Sequence, residues 1–369
     1  MPTEISDWND LDNVRNDLSG DYVLVNDLDS ETDGYAGIGD DFEPIGFVSG
    51  NRTGDTFDGV LDGDGFQISD LVIEENDSDD GGVAFITQVA LNGLVENLSV
   101  DGTVDSTIDD SFFGGLAGSV SSGSFGDEGT IQNCVSHVDV TAPNGTNVGG
   151  LVGRNFDTVT DSYATGSVEG DDIVGGLVGT NSETIETSYA VGLVTGNSRV
   201  GGLVGEDNDT VSSSYWDTEA SGQDTSDGGT GLTTDEMQGS EAETNMGGFG
   251  FSSVWETVEE DDDDTTADGY PILIALDRED QLDAQEILLL TVDITGQITL
   301  DETGVDTADV IVFNLTNNEF GGKTETDTEG NYTLTVEGTE DGSGDTIAIA
   351  VDFADGLERY GRLITTVIE

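Results

Sequence analysis

VGGLVG begins at Val148, again at Val174 and again at Val200, and the text between the copies repeats as well. DTVTDSYATGSVEG, from Asp157, is answered by ETIETSYAVGLVTG, from Glu183, and a shortened DTVSSSY starts at Asp209. Val148 to Val174 and Val174 to Val200 are both steps of 26 residues, and Tyr163, Tyr189 and Tyr215 keep the same step. A unit repeating at this length cannot bury its own apolar face, so each copy must lie on its neighbours.

Within a unit, three short apolar runs (VGGLVG, TIETSYA, GLV) are separated by Gly, Asn, Asp, Ser and Thr. Those are turn residues and poor helix formers, so the runs read as strands. Three strands of roughly 4 to 6 residues plus three corners account for the period and make one triangular coil. Coils stacked about 4.8 Å apart with parallel strands in register give a β-helix in which equivalent residues form ladders. Val159, Ile185 and Val211 should line up inside, and the three tyrosines should sit over one another. The inward phase of VGGLVG stays open, because Val148 and Leu151 lie in opposite phases.

The repeated core, Gly150–Leu151–Val152–Gly153, Gly176–Leu177–Val178–Gly179 and Gly202–Leu203–Val204–Gly205, resembles the GLUG-repeat proteins. FDGVLDGDGFQISDLVI, from Phe57, resembles their opening coils; YWDTEASG, GTGLTTDEM and GYPIL resemble their closing segment. The likeness covers most of residues 1 to 285. It implies a β-helical part of a secreted, surface or adhesive protein and implies no catalytic residues.

Outward from the repeats, Ser6 is placed to cap a short helix carrying Trp8, Leu11, Val14 and Leu18, a lid over the first coil with Trp8 as plug. The cap spans 1–20 and less regular coils 21–147, with DYVLVNDLD from Asp21 as first strand and EPIGF from Glu43 as second. GLVENLSVDGTV, from Gly93, and GTIQNCVSHVDV, from Gly129, match the second half of the repeat, and FGGLAG, from Phe113, its first half. Surplus residues such as Ser119 to Asp127 should bulge as loops. The regular coils run 148–215. An irregular excursion and a closing coil built on Val254, Trp255 and Tyr270 to Ile274 occupy 216–276, and a charged connector 277–289.

From residue 290 the period changes to strict alternation, in Val292 to Leu300, Val310 to Leu315, Tyr332 to Val336 and Ile347 to Phe353. That pattern predicts an antiparallel sandwich. ITGQITLDETGVDTADVIVFN followed by TETDTEGNYTLTV resembles the carboxypeptidase regulatory-like domain, with Thr326, Asp327, Gly330 and Tyr332 in its turn. The resemblance implies a transthyretin-like accessory module without chemistry. The expected class is therefore all-β: a capped parallel β-helix followed by a small Ig-like or transthyretin-like sandwich.

Eight Lys plus Arg stand against 79 Asp plus Glu, a formal charge of −71, and Lys323 is the only lysine. Such a polyanion repels phosphate backbones and anionic lipid, which excludes nucleic acid and membrane-surface partners. The acid is spread through the periodic coils, which indicates a folded protein of a salt-loving source, where ~molar salt shortens the screening length to about 3 Å. No stretch of about 18 apolar residues occurs, so no membrane insertion is expected.

Candidate chemistry is sparse. His137, the only histidine, falls at the corner held by Thr165 and Val191, and a catalytic imidazole needs a positioned nucleophile or carboxylate. Cys134 aligns with Ser162, Ser188 and Ser214 and reads as a small core filler. Asp62, Asp64 and Asp70 in LDGDGFQISD are similar to the start of a calcium loop but lack its remaining ligands, so they are weak metal candidates beside a turn reading. The acidic run from Glu259 to Asp264 reads as a solvated loop tip. Carboxylate pairs for glycoside hydrolysis arise everywhere among so many acids, and an elimination enzyme lacks its base, since the solenoid offers only Arg15, Arg52, Arg154, Arg199 and Arg278. No catalytic residue and no cofactor are assigned. Asn-x-Ser/Thr signals stand at Asn51, Asn76, Asn97, Asn144, Asn208, Asn314 and Asn331.

These features predict a non-enzymatic rod that binds through its loops. The acidic start at Met1, without a signal-peptide core, and the end at Glu369 directly after a strand favour a virion spike or fibre of a virus infecting a halophile. Its partners would be other virion or surface proteins and a host envelope protein or glycan, and a homo-oligomer such as a trimer would suit a spike. The alternatives are a secreted cell-surface adhesin of a halophilic archaeon and a glycan-degrading enzyme on the same scaffold.

Overall fold

Residues 1–46, 56–75, 82–90, 92–109, 112–121, 128–259 and 267–285 are described by the computed structural model, together with backbone strands beyond residue 290. The chain divides into two compact units, one of Met1–Asp262 with Ala267–Gln285 and one of Asp263–Thr266 with Glu286–Glu369.

Three parallel sheets wall the first unit. One stacks Gly82–Val83, Phe112–Gly114, Thr146–Gly149, Asp172–Gly175 and Ser198–Gly201. Another stacks Ile86–Val89, Ala117–Val120, Val152–Asn155, Val178–Asn181 and Val204–Asp207. The third carries the rest of each coil, and its register pairs Val95 with Ile131, Ile131 with Val159, Val159 with Ile185 and Ile185 with Val211. The steps of 36 and 28 residues upstream thus stack in the same ladder as the regular steps of 26, their surplus taken up at corners. Parallel sheets consistent with a β-helix are therefore observed, with the apolar ladder residues Val95 through Ile185 fully buried inside.

VGGLVG is two strands and a corner rather than one strand. Thr146–Gly149 belongs to the first wall, Val152–Asn155 to the second, and the chain turns at Gly150 and Leu151. The phase resets at that turn, which is how Val148 and Leu151 are both fully buried. The two walls meet so closely that only glycine fits. A Cβ on Gly179 would lie 2.6 Å from the Gly153 carbonyl oxygen and 2.8 Å from the Val148 nitrogen. TIETSYA and GLV, expected on separate walls, share the third one.

A bend inside that wall explains the tyrosines. Asn97, Asn133, Asp161, Thr187 and Ser213 all hold positive φ, between 45° and 52°. Each left-handed residue shifts the alternation by one. Cys134 and Ala164 then face the main core, while Val135, Tyr163, Tyr189 and Tyr215 join a second apolar cluster on the outer side of the wall. The serines inside the bend stitch the rungs: Ser188 N–H donates to Ser214 Oγ and Ser162 N–H to Ser188 Oγ, both at 3.2 Å.

At the N-terminal end, Thr3–Ile5 is the first strand, pairing with Tyr22 to Leu24; it escapes sequence reading because only Ile5 of its three residues is buried. The helix Trp8–Asn13 is capped by Asp7, not Ser6: Asp7 is extended and accepts from the Asp10 N–H, while Ser6 Oγ donates to the Asp10 carboxylate. Trp8 is fully buried as the plug, its Nε1 donating to the Asp29 carbonyl at 2.9 Å. The described part of EPIGF, Glu43 to Gly46, forms no strand, only a bridge from Ile45 to Ile86; the strand beside Asp21–Leu24 is Val60–Asp62.

Residues 216–250 are irregular only in part: turns and bends fill 218–229, Thr230–Leu232 pairs in parallel with Tyr215–Asp217, and an antiparallel pair follows where a closing coil was expected. Their first part stoppers the C-terminal end: Ser226 Oγ accepts from the Leu203 and Val204 N–H groups and donates to the Val204 carbonyl, and Trp216 lies over Gly202. The remainder forms a cover over the tyrosine ladder. Helices Thr234–Met237 and Gly239–Asn245, the segment after them and the antiparallel pair Trp255–Val258 with Gly269–Leu273 supply Met237, Ala242, Met246, Phe249, Trp255 and Leu273 to the outer cluster. Residues 277–285 of the expected connector are part of this cover, since Arg278–Asp283 is a helix with Gln281 and Leu282 fully buried.

In the second unit the strands pair antiparallel: Thr291–Gln297 with Asn331–Glu337, and Ala308–Asn314 between Glu319–Glu325 and Ile347–Phe353, which also pairs Gly361–Ile364. Glu319–Glu325 and Gly361–Ile364 were not anticipated. The expected sandwich packing, and the turn at Thr326, Asp327 and Gly330, lie outside the described residues.

Candidate functional site

The outward side of the third wall presents the same chemistry on three successive rungs. Thr158, Thr184 and Thr210 are in register, as are Thr160, Glu186 and Ser212, and each row is preceded by an acid: Asp157, Glu183 or Asp209. A ladder inside the adjoining corner fixes the rows, with Asn155 Nδ2 donating to Asn181 Oδ1 and Asn181 Nδ2 to Asp207 Oδ1, both at 2.8 Å. Thr158 and Thr210 donate their hydroxyls to Asp157 and Asp209 at 3.0 and 2.8 Å. The result is a strip of hydroxyls and carboxylates, whose oxygens are hydrogen-bond acceptors.

Asp62 ends the strand Val60–Asp62, Asp64 lies in the turn that follows, and Asp70 lies within the strand Gln67–Glu75. Asp62 Oδ1 accepts from Asn97 Nδ2 at 3.0 Å and from the Asp64 N–H at 2.9 Å, while Asp70 Oδ2 accepts from the Ser30 N–H at 2.9 Å. Asp64 and Asp70 hold φ values of 49° and 58°. Among the described residues, no group of three or more His, Cys, Asp or Glu side chains is placed to hold a metal ion.

His137 sits at the Thr165 corner as the spacing indicated, with Nδ1 2.6 Å from Thr165 Oγ1 and its ring edge-on to Tyr163. Burial pulls its pKa down to about 3, so the ring is neutral. Cys134 occupies the serine ladder, its N–H donating to Ser162 Oγ, and burial pushes its thiol up to about 12. Neither has a catalytic neighbour in these contacts. The described arginines are all engaged: Arg15 with Asp12, Arg199 with Asp172 and Glu206, Arg278 with Glu256, and Arg154 between the rings of Phe112 and Phe156 at 4.5 and 4.6 Å. Arg52, Asn51, Asn76, Glu260 to Asp264 and residues 122–127 lie outside the described residues, as do the side chains of Asn314, Lys323, Asn331 and Tyr332.

Leu151, Leu177 and Leu203 are fully buried, and Tyr163 stacks on Tyr189 with ring centroids 4.6 Å apart and planes 5° apart. The phenols reach into the cover, Tyr163 to Gln281, Tyr189 to the Pro271 carbonyl and Tyr215 to the Gly247 carbonyl. Burial raises the pKa of all three. Missed from sequence were Gln281 and the fully buried Asp217, whose carboxylate accepts from Thr234 Oγ1, the Tyr270 hydroxyl and the N–H groups of Glu219 and Ala220. Asp217 follows Tyr215 and Trp216, and an acid directly behind two aromatics was the available signal.

No helix among the described residues is long and apolar enough to cross a membrane. Residues 144–169 match the family described as the GLUG motif. Over 79 residues, 21% of this chain, the sequence is 34% identical to halomucin of Haloquadratum walsbyi (strain DSM 16790 / HBSQ001), and the matched part is 1% of halomucin's length. No solved structure matches. The chain therefore carries a GLUG motif within an all-β unit of parallel sheets and is similar over a fifth of its length to a protein of a halophile.

Proposed function

We propose that this protein is a non-enzymatic scaffold displayed at the cell surface of a halophile, where the hydroxyl and carboxylate strip and the coil corners contact envelope or glycan. The observation that carries this reading is the repetition of acid and hydroxyl on successive rungs, with Arg199 and Arg278 already ion-paired. The similarity to halomucin favours a cell surface over the virion surface that the sequence first suggested. The test is antibody labelling of intact cells of a halophile expressing the chain, followed by an adhesion assay with the gene deleted. Labelling only after lysis would overturn the surface placement. Reproducible release of sugar from glycans at high salt would overturn the non-enzymatic part and favour the enzyme.

A further inference from the structure

We propose that Asn144 and Asn208 are N-glycosylation sites and that Asn97, which carries the same sequence signal, is not. The inference rests on the surface reading above, because the modification needs an exported chain.

Three Asn-x-Ser/Thr signals fall on residues whose side chains are described, and the fold treats them differently. Asn97 lies within Gly93–Ser106 at φ 52°, its Nδ2 donating to Asp62 and its Oδ1 accepting from Asn133 Nδ2. The half-buried amide is committed to those two bonds, and with Leu98 fully buried and Ser99 only 2% exposed the hydroxyl of the signal cannot be reached. The residue is an asparagine for a structural reason: it forms one step of a ladder.

Asn144 and Asn208 have no such reason. Asn144 is exposed in the turn before Thr146–Gly149, and Asn208 is exposed between Val204–Asp207 and Thr210–Ser212. In the neighbouring copies the position of Asn208 is held by Phe156 and Ser182, and that of Asn144 by Gly170 and Gly196. No rung requires asparagine there. Asn144 Nδ2 donates one bond, to the Thr107 carbonyl at 3.1 Å, and Asn208 Nδ2 makes only long ones, 3.4 Å to the Asn181 carbonyl and to Glu206. Thr210 is exposed and Thr146 half-buried, so the second half of each signal is open as well.

The co-reactant is a glycan carried on a polyprenyl phosphate or diphosphate. The amide nitrogen bonds to the anomeric carbon, and the bond from that carbon to the phosphate oxygen breaks. The lipid phosphate leaves with the electron pair, and one amide proton passes to the transferase. The nitrogen keeps its second proton, which is enough to hold the Thr107 carbonyl.

The test is mass spectrometry of glutamyl-endopeptidase peptides from the full chain, made in a halophilic host and recovered from its surface, beside N144Q, N208Q and the double variant. Glycan mass is expected at Asn144 and Asn208, lost singly in each variant and absent from Asn97. Bare Asn144 and Asn208 in protein that intact-cell antibody labelling places at the surface would overturn this proposal and leave the surface reading standing. Glycan on Asn97 would overturn the structural selection. Protein that labels only after lysis would fail the surface reading itself, and the proposal with it.

Discussion

The phenol of Tyr163 donates to Oε1 of Gln281 at 3.0 Å, across 118 residues of chain. The same oxygen accepts from the Leu273 N–H, and Gln281 Nε2 donates to the carbonyls of Leu273 and Asp277. All four capacities of the amide are used in a buried site. Gln281→Leu leaves the Tyr163 hydroxyl and the Leu273 N–H without these partners, while the Leu273 carbonyl keeps the Leu276 N–H, a loss of about 1–3 kcal/mol for each group left unpaired. Hydrogen exchange should quicken in residues 269–285 while Asp172–Gly175 stays protected. Equal acceleration in both would show that cover and coil open as one unit.

His137 makes stability fall in acid. Its folded pKa of about 3 lies below the ordinary 6.5, so the unfolded chain takes up a proton that the native one refuses. The stability at stake is whole above pH 6.5 and is lost progressively toward pH 3. His137→Thr, the residue used one rung later at Thr165, removes this dependence. Between pH 7.5 and 4.5 the variant should gain about 2–3 kcal/mol on the wild type, read from denaturant midpoints.

Asp280 works in the opposite direction. Burial first, then Asp27, Asp277, Asp283 and Glu279, raise its carboxyl to about 6. The native state holds this proton more tightly than the unfolded chain does, so stability is present at low pH and falls as pH rises through about 4 to 6. Asp280→Asn should raise the melting temperature above pH 6 and leave it unchanged below pH 4. In molar salt the gain should shrink without vanishing, because screening removes the repulsion and not the burial.

Gly179→Ala tests the contact between the first two walls. The added carbon meets backbone on both sides, at 2.6 Å from the Gly153 carbonyl oxygen and 2.8 Å from the Val148 nitrogen, and backbone cannot rotate away. A loss of about 1–3 kcal/mol or more is expected from thermal unfolding at high salt. A neutral outcome would mean that the walls separate without cost.

Periodicity made the ladders legible. Val159, Ile185 and Val211, and the three tyrosines, could be placed from spacing alone because stacked parallel strands force equal steps. Local rules could not reveal which side of the wall the tyrosines take, since that depends on left-handed residues as different as Asn133, Asp161, Thr187 and Ser213. Nor could they reveal the cover, because Phe249, Trp255 and Gln281 belong to no repeat and find their partners only over long chain separations. The Asp62 turn was readable in both senses, and the Asn97 contact favours the structural one.

The cover also acts as a ruler. Its three acceptors, at Gln281, Pro271 and Gly247, meet the hydroxyls of three consecutive rungs. Repeat arrays readily gain or lose copies by duplication and deletion, but here an excised copy would leave one acceptor stranded and an extra one would leave a tyrosine bare. The number of turns is thereby held constant by a segment that repeats nothing.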